Sequence, residues 1–235
     1  MLSPWRASHR PTKFLTRRSC ASAVGDNTVM LDLSFSLVAT QPIAADHGYL
    51  LYAALSKILP ELHTVNGIAV HPISGRQTGN RQLALMPSST LTVRVPDGEV
   101  APWLSLTGKN LAIADSTLQV GCPIIRALIP ACAVRSRLVV IKVSNAGAAQ
   151  ITADVFAAAA RKQLDKLGIS SQAALVIPVG AEGRPRRRTL CVKGREIVGY
   201  EAIVEGLSAD ESLTLQTHGL GGKHHMGCGV FAPLR

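Results

Sequence analysis

The chain has 235 residues and a formal net charge of +10, from 25 lysines and arginines against 15 aspartates and glutamates. Hydrophobic residues make up 47% and charged residues 17%, which excludes a disordered chain, because such a chain lacks the apolar surface to offset its conformational entropy. No apolar run reaches the roughly 18 residues of a membrane span. The basic excess predicts a polyanionic partner such as RNA or DNA; a solvated basic face or an acidic protein partner are the alternatives.

Residues 1–27 are basic, with no acid before Asp26 and no long apolar stretch, a composition that imitates a transit peptide. Because the first strand-like pattern begins near Val29, we interpret them as a disordered extension or an overlong start and exclude them from the fold. Five cysteines are scattered without a C-x-x-C pair. This favours buried thiols in a reducing cytoplasm over a zinc site or a disulfide framework, and we expect no metal and no cofactor.

The first part of the chain predicts a mixed α+β unit. Apolar and polar residues alternate over 29–37, which predicts a strand. Apolar positions at helical spacing over 46–59 predict a helix with Asp46 as N-cap and Pro60 as its stop. Further elements are predicted as strands over 67–70, 82–85 and 91–95, a short helix over 97–106, and strands over 111–120 and 124–128. This order approximates the βαββαβ unit of ferredoxin-like folds, which also underlies RNA-recognition modules.

A similar pattern recurs in the second part. A strand over 137–143, a helix over 152–167 and a strand over 173–179 are followed by a hairpin of strands 189–193 and 196–204. An S-x-x-E capping box at Ser208 and Glu211 begins the last helix. We therefore predict two tandem ferredoxin-like (RRM-like) domains over 28–133 and 134–235.

The most informative segment follows that last helix. It reads G-L-G-G-K-H-H-M-G-C-G-V-F over 219–231, with five glycines among the eleven residues 219–229. Such a glycine-rich loop permits positive backbone torsions and lets a phosphate approach main-chain amides closely.

A helix followed by this run at the C-terminal end resembles the terminal loop of the CRISPR-associated repeat-RNA endoribonucleases, the Cas-six family. The phrases D-H-G-Y at 46–49 and P-E-L-H at 60–63 are similar to the first helix of that family and the segment after it, and look most like the branch of the Myxococcus-type subtype of class 1 systems. The resemblance implies a cleft between two ferredoxin-like domains that binds CRISPR repeat RNA. It also implies cleavage of the precursor transcript to mature crRNA without a metal ion, and class 1 effector subunits as further partners.

The resemblance further implies attack of an RNA 2′-hydroxyl on the adjacent phosphorus, leaving a 2′,3′-cyclic phosphate. This step needs a base, an acid and donors for the growing phosphoryl charge. Histidine suits the proton transfers because its ordinary pKa is about 6.5. The segment that houses the family's catalytic histidine contains His63, our first candidate; His47 is the second and His71 the third. Tyr52 and Ser56 share a face of the first helix and are candidates to orient the phosphate, with packing as the alternative for such tyrosines.

The residues predicted to bind RNA are mostly basic and lie before and within the hairpin and in the terminal loop. They are Tyr49, Arg184, Arg186, Arg187, Arg188, Lys193, Arg195, Gly221, Gly222, Lys223, His224 and His225.

Two departures from the family pattern leave a second function open. Some members have a tyrosine where this chain has Ser56 and a catalytic lysine where it has Ala69. A catalytically inactive subunit that only holds repeat RNA is therefore the alternative. A third hypothesis, a ferredoxin-like regulatory or metal-binding protein using the histidines of the tail, lacks the ligand spacing of a zinc site.

Overall fold

The computed structural model describes residues 28–63, 65, 67–143 and 151–234 and, for His63, the backbone alone. The predicted extension over 1–27 lies outside the described residues. The described elements, in chain order, are β1 (Met30–Ala39), β2 (Ile43–Ala44), α1 (Gly48–Ile58), β3 (Ala69–Val70), β4 (Arg76–Gly79), β5 (Gln82–Ala84), β6 (Thr90–Pro96), α2 (Val100–Leu104), β7 (Asn110–Ile113), β8 (Ser116–Ala127), β9 (Ala133–Val139), α3 (Ala153–Lys166), β10 (Ala174–Val176), β11 (Arg187–Val192), β12 (Arg195–Glu205), α4 (Ala209–His218) and β13 (Ala232–Pro233). Short 3-10 helices cover Pro60–His63, Asp97–Glu99 and His224–Met226.

The first half of the chain is built on a five-stranded antiparallel sheet. Its strand order is β3-β6-β1-β8-β7. The alternation predicted for the first strand is observed, because Leu33, Phe35 and Leu37 are buried on one face. Leu51 and Leu55 of α1 pack into the same core. The hydrophobic effect therefore fixes which face of the sheet α1 covers.

A small three-stranded sheet of order β2-β5-β4 stands beside the main one. β4 was not predicted, because all four of its residues are exposed and show no apolar alternation. Pairing with β5 fixes this strand rather than burial of its own side chains.

The second half forms another antiparallel sheet, of order β10-β12-β9-β13, with β11 also paired to β12. Phe156 and Leu164 of α3 and Leu215 of α4 pack with Tyr200 and Val204 of β12 in one core. The predicted capping box is confirmed: Ser208 and Glu211 exchange both hydrogen bonds at the start of α4. The strand predicted to begin at 137 begins earlier, at Ala133.

Two expectations are wrong. Asp46 does not cap α1, because the N-cap position is His47, whose side chain makes no capping bond to the helix. The Asp46 carboxylate instead accepts a hydrogen bond of 2.7 Å from the Cys191 amide. The cysteines are not uniformly buried, since Cys122, Cys132 and Cys191 are exposed and only Cys228 is buried among those described. Among the described residues, no helix is long and apolar enough to cross a membrane.

Candidate active site and nucleic-acid interface

The glycine-rich loop folds back tightly on the second sheet. Gly221 and Gly229 have positive φ values of 75° and 65°, which non-glycine residues rarely adopt. A Cβ on Gly221 would collide with the carbonyl oxygen of Val140, and one on Gly229 would collide with that of Leu220. Glycine at these two positions therefore lets the chain pass close enough to be anchored.

Main-chain hydrogen bonds provide that anchoring. The Gly222 amide donates to the Val140 carbonyl at 3.0 Å and the Gly229 amide to the Leu138 carbonyl at 2.7 Å, both at the end of β9. The Gly221 amide donates to Oε1 of Gln163 on α3 at 2.7 Å. Gly221 and Gly222 thus line the site while their amides already donate to protein acceptors, which weighs against their predicted use as phosphate donors.

The loop faces the first half of the molecule across a pocket of about 330 Å³. One wall is Gly67–Ala69 at the start of β3, and the other is the loop with Lys223, His224 and His225. The His225 ring stacks on Tyr52 of α1, with ring centroids 5.9 Å apart. Gly48 at the start of α1 leaves room for the Met226 carbonyl, where a Cβ would collide with it. We call this cavity the loop pocket.

The three loop side chains have different environments. Lys223 is exposed. His224 is half-buried against Gly219 and Gly229, and its buried Nε2 has no hydrogen-bond partner within the described part of the chain. Burial lowers the pKa of His224, so this ring is predominantly neutral at pH 7. Its predicted contribution as a cation therefore falls to Lys223.

On α1, Tyr52 is the predicted residue that the fold brings against the loop, through its stacking on His225. Ser56 instead donates its hydroxyl to the Tyr52 carbonyl at 2.8 Å, a bond within its own helix. Tyr49 is half-buried. Ala69, at the position where some family members have a lysine, lines the loop pocket with a methyl group.

His47 has a structural environment. It is 1% exposed. Its Nδ1–H donates to the Ala44 carbonyl at 3.0 Å, and its Nε2 accepts from the Ile73 amide at 2.9 Å. Burial lowers the pKa of His47 to about 4. With both ring nitrogens bonded to main chain, this geometry weighs against the catalytic role predicted for His47.

His63 ends the 3-10 helix that follows α1, and its side chain lies outside the described residues. His71 lies elsewhere, with its buried Nε2 at 3.7 Å from Oδ1 of Asp32, too long for a hydrogen bond. Burial lowers the pKa of His71, which the nearby Asp32 carboxylate offsets in part.

The arginine run divides between two faces of β11. Arg186 and Arg188 contact the buried carboxylate of Glu201 on β12. Arg187 lies between them in the chain and therefore on the opposite face of the strand. Arg184 is exposed, as are Lys193 and Arg195 at the hairpin turn. Arg135 and Arg137 on β9, which were not predicted to bind RNA, join Arg186 and Arg188 along one groove. Their alternation at i and i+2 gave no signal, because the predicted strand began at 137 and left Arg135 outside it.

Among the described residues, no group of three or more histidine, cysteine, aspartate or glutamate side chains is arranged to hold a metal ion.

Comparison with known proteins gives consistent matches over most of the chain. A family model described as Cas6 Crispr matches residues 31–235. The chain is 37% identical over 209 residues to the CRISPR-associated endonuclease Cas6 of Myxococcus xanthus (strain DK1622), covering 89% of this chain and 84% of that relative.

Two solved structures show the fold. A Cas6-related protein from Pyrococcus furiosus matches with a TM-score of 0.58 at 15% identity, covering 88% of this chain and 99% of that one. A RAMP protein that binds different RNA substrates matches with a TM-score of 0.57 at 13% identity, covering 88% of this chain and 100% of that one.

Proposed function

Because the chain belongs to the Cas6 family, we propose that it is an endoribonuclease that binds CRISPR repeat RNA and cleaves the precursor transcript to mature crRNA. The observation that supports this best is the loop pocket. Lys223 and His225 of the glycine-rich loop line it, and the His225 ring stacks on Tyr52 of α1. The cleavage needs a base, an acid and donors for the charge on the phosphoryl oxygens, and an imidazole, a phenol and an ammonium group can fill these roles.

We also interpret the two halves as tandem ferredoxin-like domains over 28–133 and 134–235. Within the first half, β1, α1, β3, β6, α2 and β8 give the sequence βαββαβ with neighbours β3-β6-β1-β8. Within the second, β9, α3, β10, β12, α4 and β13 give the same sequence with neighbours β10-β12-β9-β13. The equivalent strand order in both halves supports this interpretation.

The proposed reaction is metal-independent attack of the 2′-hydroxyl on the adjacent phosphorus. The 2′-hydroxyl loses its proton to a base, the P–O5′ bond breaks, and the 5′-oxygen takes up a proton from an acid, which leaves a 2′,3′-cyclic phosphate. We assign the essential proton transfer to His63, since its backbone follows closely on α1, the helix whose Tyr52 stacks on His225 of the loop. Lys223 would stabilise charge on the phosphoryl oxygens.

The partner and location follow from the same proposal. The exposed Arg184, Arg187, Lys193 and Arg195 would contact the repeat stem or its flank, and the product complex would join class 1 effector subunits. We place the protein in the cytoplasm, where exposed thiols such as Cys122 and Cys191 stay reduced.

Two observations favour a second candidate, an RNA-holding subunit without catalysis. Ala69 gives the loop pocket no functional group where some relatives have a lysine, and Ser56 is bonded within its own helix. Both the endoribonuclease and the RNA-holding subunit would bind repeat RNA, and only the endoribonuclease would cleave it.

The deciding experiment is incubation of the protein with RNA of its own CRISPR repeat in the presence of EDTA. A single cut with a cyclic phosphate end supports the endoribonuclease, and tight binding without a cut supports the RNA holder. A protein that neither binds nor cuts this RNA would contradict both candidates.

A further inference from the structure

A groove of about 790 Å³ lies between the two halves. The terminal segment separates it from the loop pocket. Val230 lines both cavities. One wall of the groove is the loop Ile73–Gly75 from the first half. The opposite wall carries four arginines from the second sheet: Arg135, Arg137, Arg186 and Arg188.

A buried carboxylate organises three of these arginines. Glu201 of β12 is 1% exposed. Its Oε1 lies 2.6 Å from Nη2 of Arg135 and 3.5 Å from Nη1 of Arg186, and its Oε2 lies 3.0 Å from Nη2 of Arg188. The three arginine side chains are 41%, 43% and 31% exposed, so they reach from the buried carboxylate out to the groove.

The charges in this cluster do not balance. Three guanidinium groups share one carboxylate, and Arg137 adds a fourth cation that donates to the Ala45 carbonyl at 3.2 Å. In addition, Nε of Arg188 is buried and has no hydrogen-bond partner in the described parts of the chain. A buried donor without an acceptor is costly, and a groove with excess positive charge attracts anions.

We propose that Glu201 is a positioning residue that holds Arg135, Arg186 and Arg188 as a clamp for the phosphates of an RNA strand leaving the loop pocket. Each guanidinium has five N–H donors in a planar fork. Each of the three is held to Glu201 through one Nη atom, and its partly exposed side chain lines the groove. The clamp rests on the proposed function, because the strand it holds is the flank of the RNA bound at the loop.

Replacing Glu201 with glutamine tests this through the sign of its effect. The change raises the net charge by one. If Glu201 only neutralised the arginines, it would weaken RNA binding, and replacing it with glutamine would strengthen binding. A positioning carboxylate gives the opposite result, since the unfixed arginines lose their shared geometry. We expect E201Q to bind repeat RNA about tenfold or more weakly, the equivalent of roughly one charge-assisted hydrogen bond.

The matched control is Glu205→Gln, the same change at an exposed position of the same strand, which should bind within about twofold of the unaltered protein. Affinity should be measured over a salt series together with thermal unfolding. If the unaltered protein binds and cuts while E201Q binds as tightly or more tightly, the clamp is refuted and the endoribonuclease stands. If the unaltered protein does neither, the proposed function itself fails.

Arg135→Gln keeps the test decisive if a buried glutamine prevents E201Q from folding. It leaves Glu201 with Arg186 and Arg188 and changes a partly exposed side chain. We expect weaker binding and a slope of log affinity against log salt that is shallower by about 0.7, the value for one lost phosphate contact on a single strand. Unchanged affinity and slope in R135Q would overturn the clamp.

Discussion

The histidines of this chain differ in what surrounds them, and these surroundings decide which can transfer a proton. His47 is buried with both ring nitrogens bonded to main chain, and His224 is held against the glycines of its loop. A general acid or base must reach the reacting atoms and have a pKa near the working pH. These surroundings weigh against His47, and His63, the first candidate from the sequence, stays the first residue to test.

His63→Ala should slow cleavage by about 10²–10⁴-fold, the usual contribution of a general acid or base, while RNA affinity stays within a few-fold. A proton-transferring imidazole acts mainly in the transition state, whereas ground-state affinity comes from many phosphate contacts. Single-turnover cleavage at saturating protein, with binding measured separately, checks this. A normal rate in H63A would direct attention to His225, which stacks on Tyr52 in the loop pocket.

His47 should make folding stability depend on pH in the acidic range. Its pKa is about 4 in the folded protein against an ordinary 6.5, so the unfolded chain binds a proton first. The stabilisation is fully present above pH 6.5 and is lost as pH falls toward 4, by on the order of 3 kcal/mol. The lowered pKa values of His71 and His224 act in the same direction.

The variant His47→Gln isolates that contribution. Its deficit in the free energy of unfolding, measured with urea from pH 7 to pH 4, should shrink as the pH falls, because only the unaltered protein loses the histidine term. His218→Gln, at an exposed position at the end of α4, is the control. A deficit that stays constant with pH would show that His47 is not held neutral.

The site was predictable from sequence only where one segment carries both the motif and its conformation. The loop was found because its glycines and basic residues are contiguous. Glu201 and Arg135 were not found, because a lone glutamate and a lone arginine on strands signal nothing until pairing of β9 and β12 brings them together. The phosphate-binding amides expected at Gly221 and Gly222 proved to be bonded, which depends on contacts with β9 and α3.

At the scale of elements, strong local signals gave correct assignments and weak ones did not. The alternation of β1, the periodicities of α1 and α3, and the capping box of α4 all correspond to observed elements. β4 was missed because its exposed residues carry no pattern. Asp46 satisfied the N-cap rule, yet the Cys191 amide of β11 competes successfully for its carboxylate, a tertiary contact that local rules do not contain.

The loop offers a matched pair of glycines that tests whether its conformation is rigid. Gly221 has a positive φ and packs on the Val140 carbonyl, whereas a Cβ on Gly222 would enter open space. Gly221→Ala should lower the free energy of unfolding by about 1–3 kcal/mol, the cost of one residue with a strained backbone. Gly222→Ala should change it by less than about 0.5 kcal/mol, as is usual at an exposed surface position. Thermal and urea unfolding of both variants provide the measurement, and equal losses would show that the loop is not pinned at Gly221.

At the scale of the whole molecule, the two halves are joined by a fully buried arginine. Arg94 of β6 binds both oxygens of Asp32 on β1, at 2.7 and 2.9 Å. Its Nη1 also donates to the carbonyls of Gln216 on α4 at 2.6 Å and of Phe231, next to β13, at 2.8 Å. Although burial alone would raise the pKa of Asp32, the nearby His71 ring and the hydrogen bonds from Arg94 lower it strongly. The carboxylate therefore stays ionised, and the ion pair of the first sheet also fixes the segment that bears the loop.

Arg94→Met should consequently loosen the second half from the first as well as destabilise the chain. Removing one partner of a buried ion pair costs about 3–5 kcal/mol, because the remaining charge and the two carbonyls lose their partner. We expect hydrogen exchange to accelerate most in α4 and in the segment before β13. Repeat-RNA binding should also weaken, because that segment lines both the loop pocket and the groove that carries the four arginines. Arg126→Met, an exposed arginine paired in register with Asp32 on the neighbouring strand, is the control for the loss of positive charge. If R94M loses stability while exchange in α4 stays unchanged, Arg94 stabilises only the first sheet, and the coupling between the halves must reside in the contacts of the loop with α1 and β3.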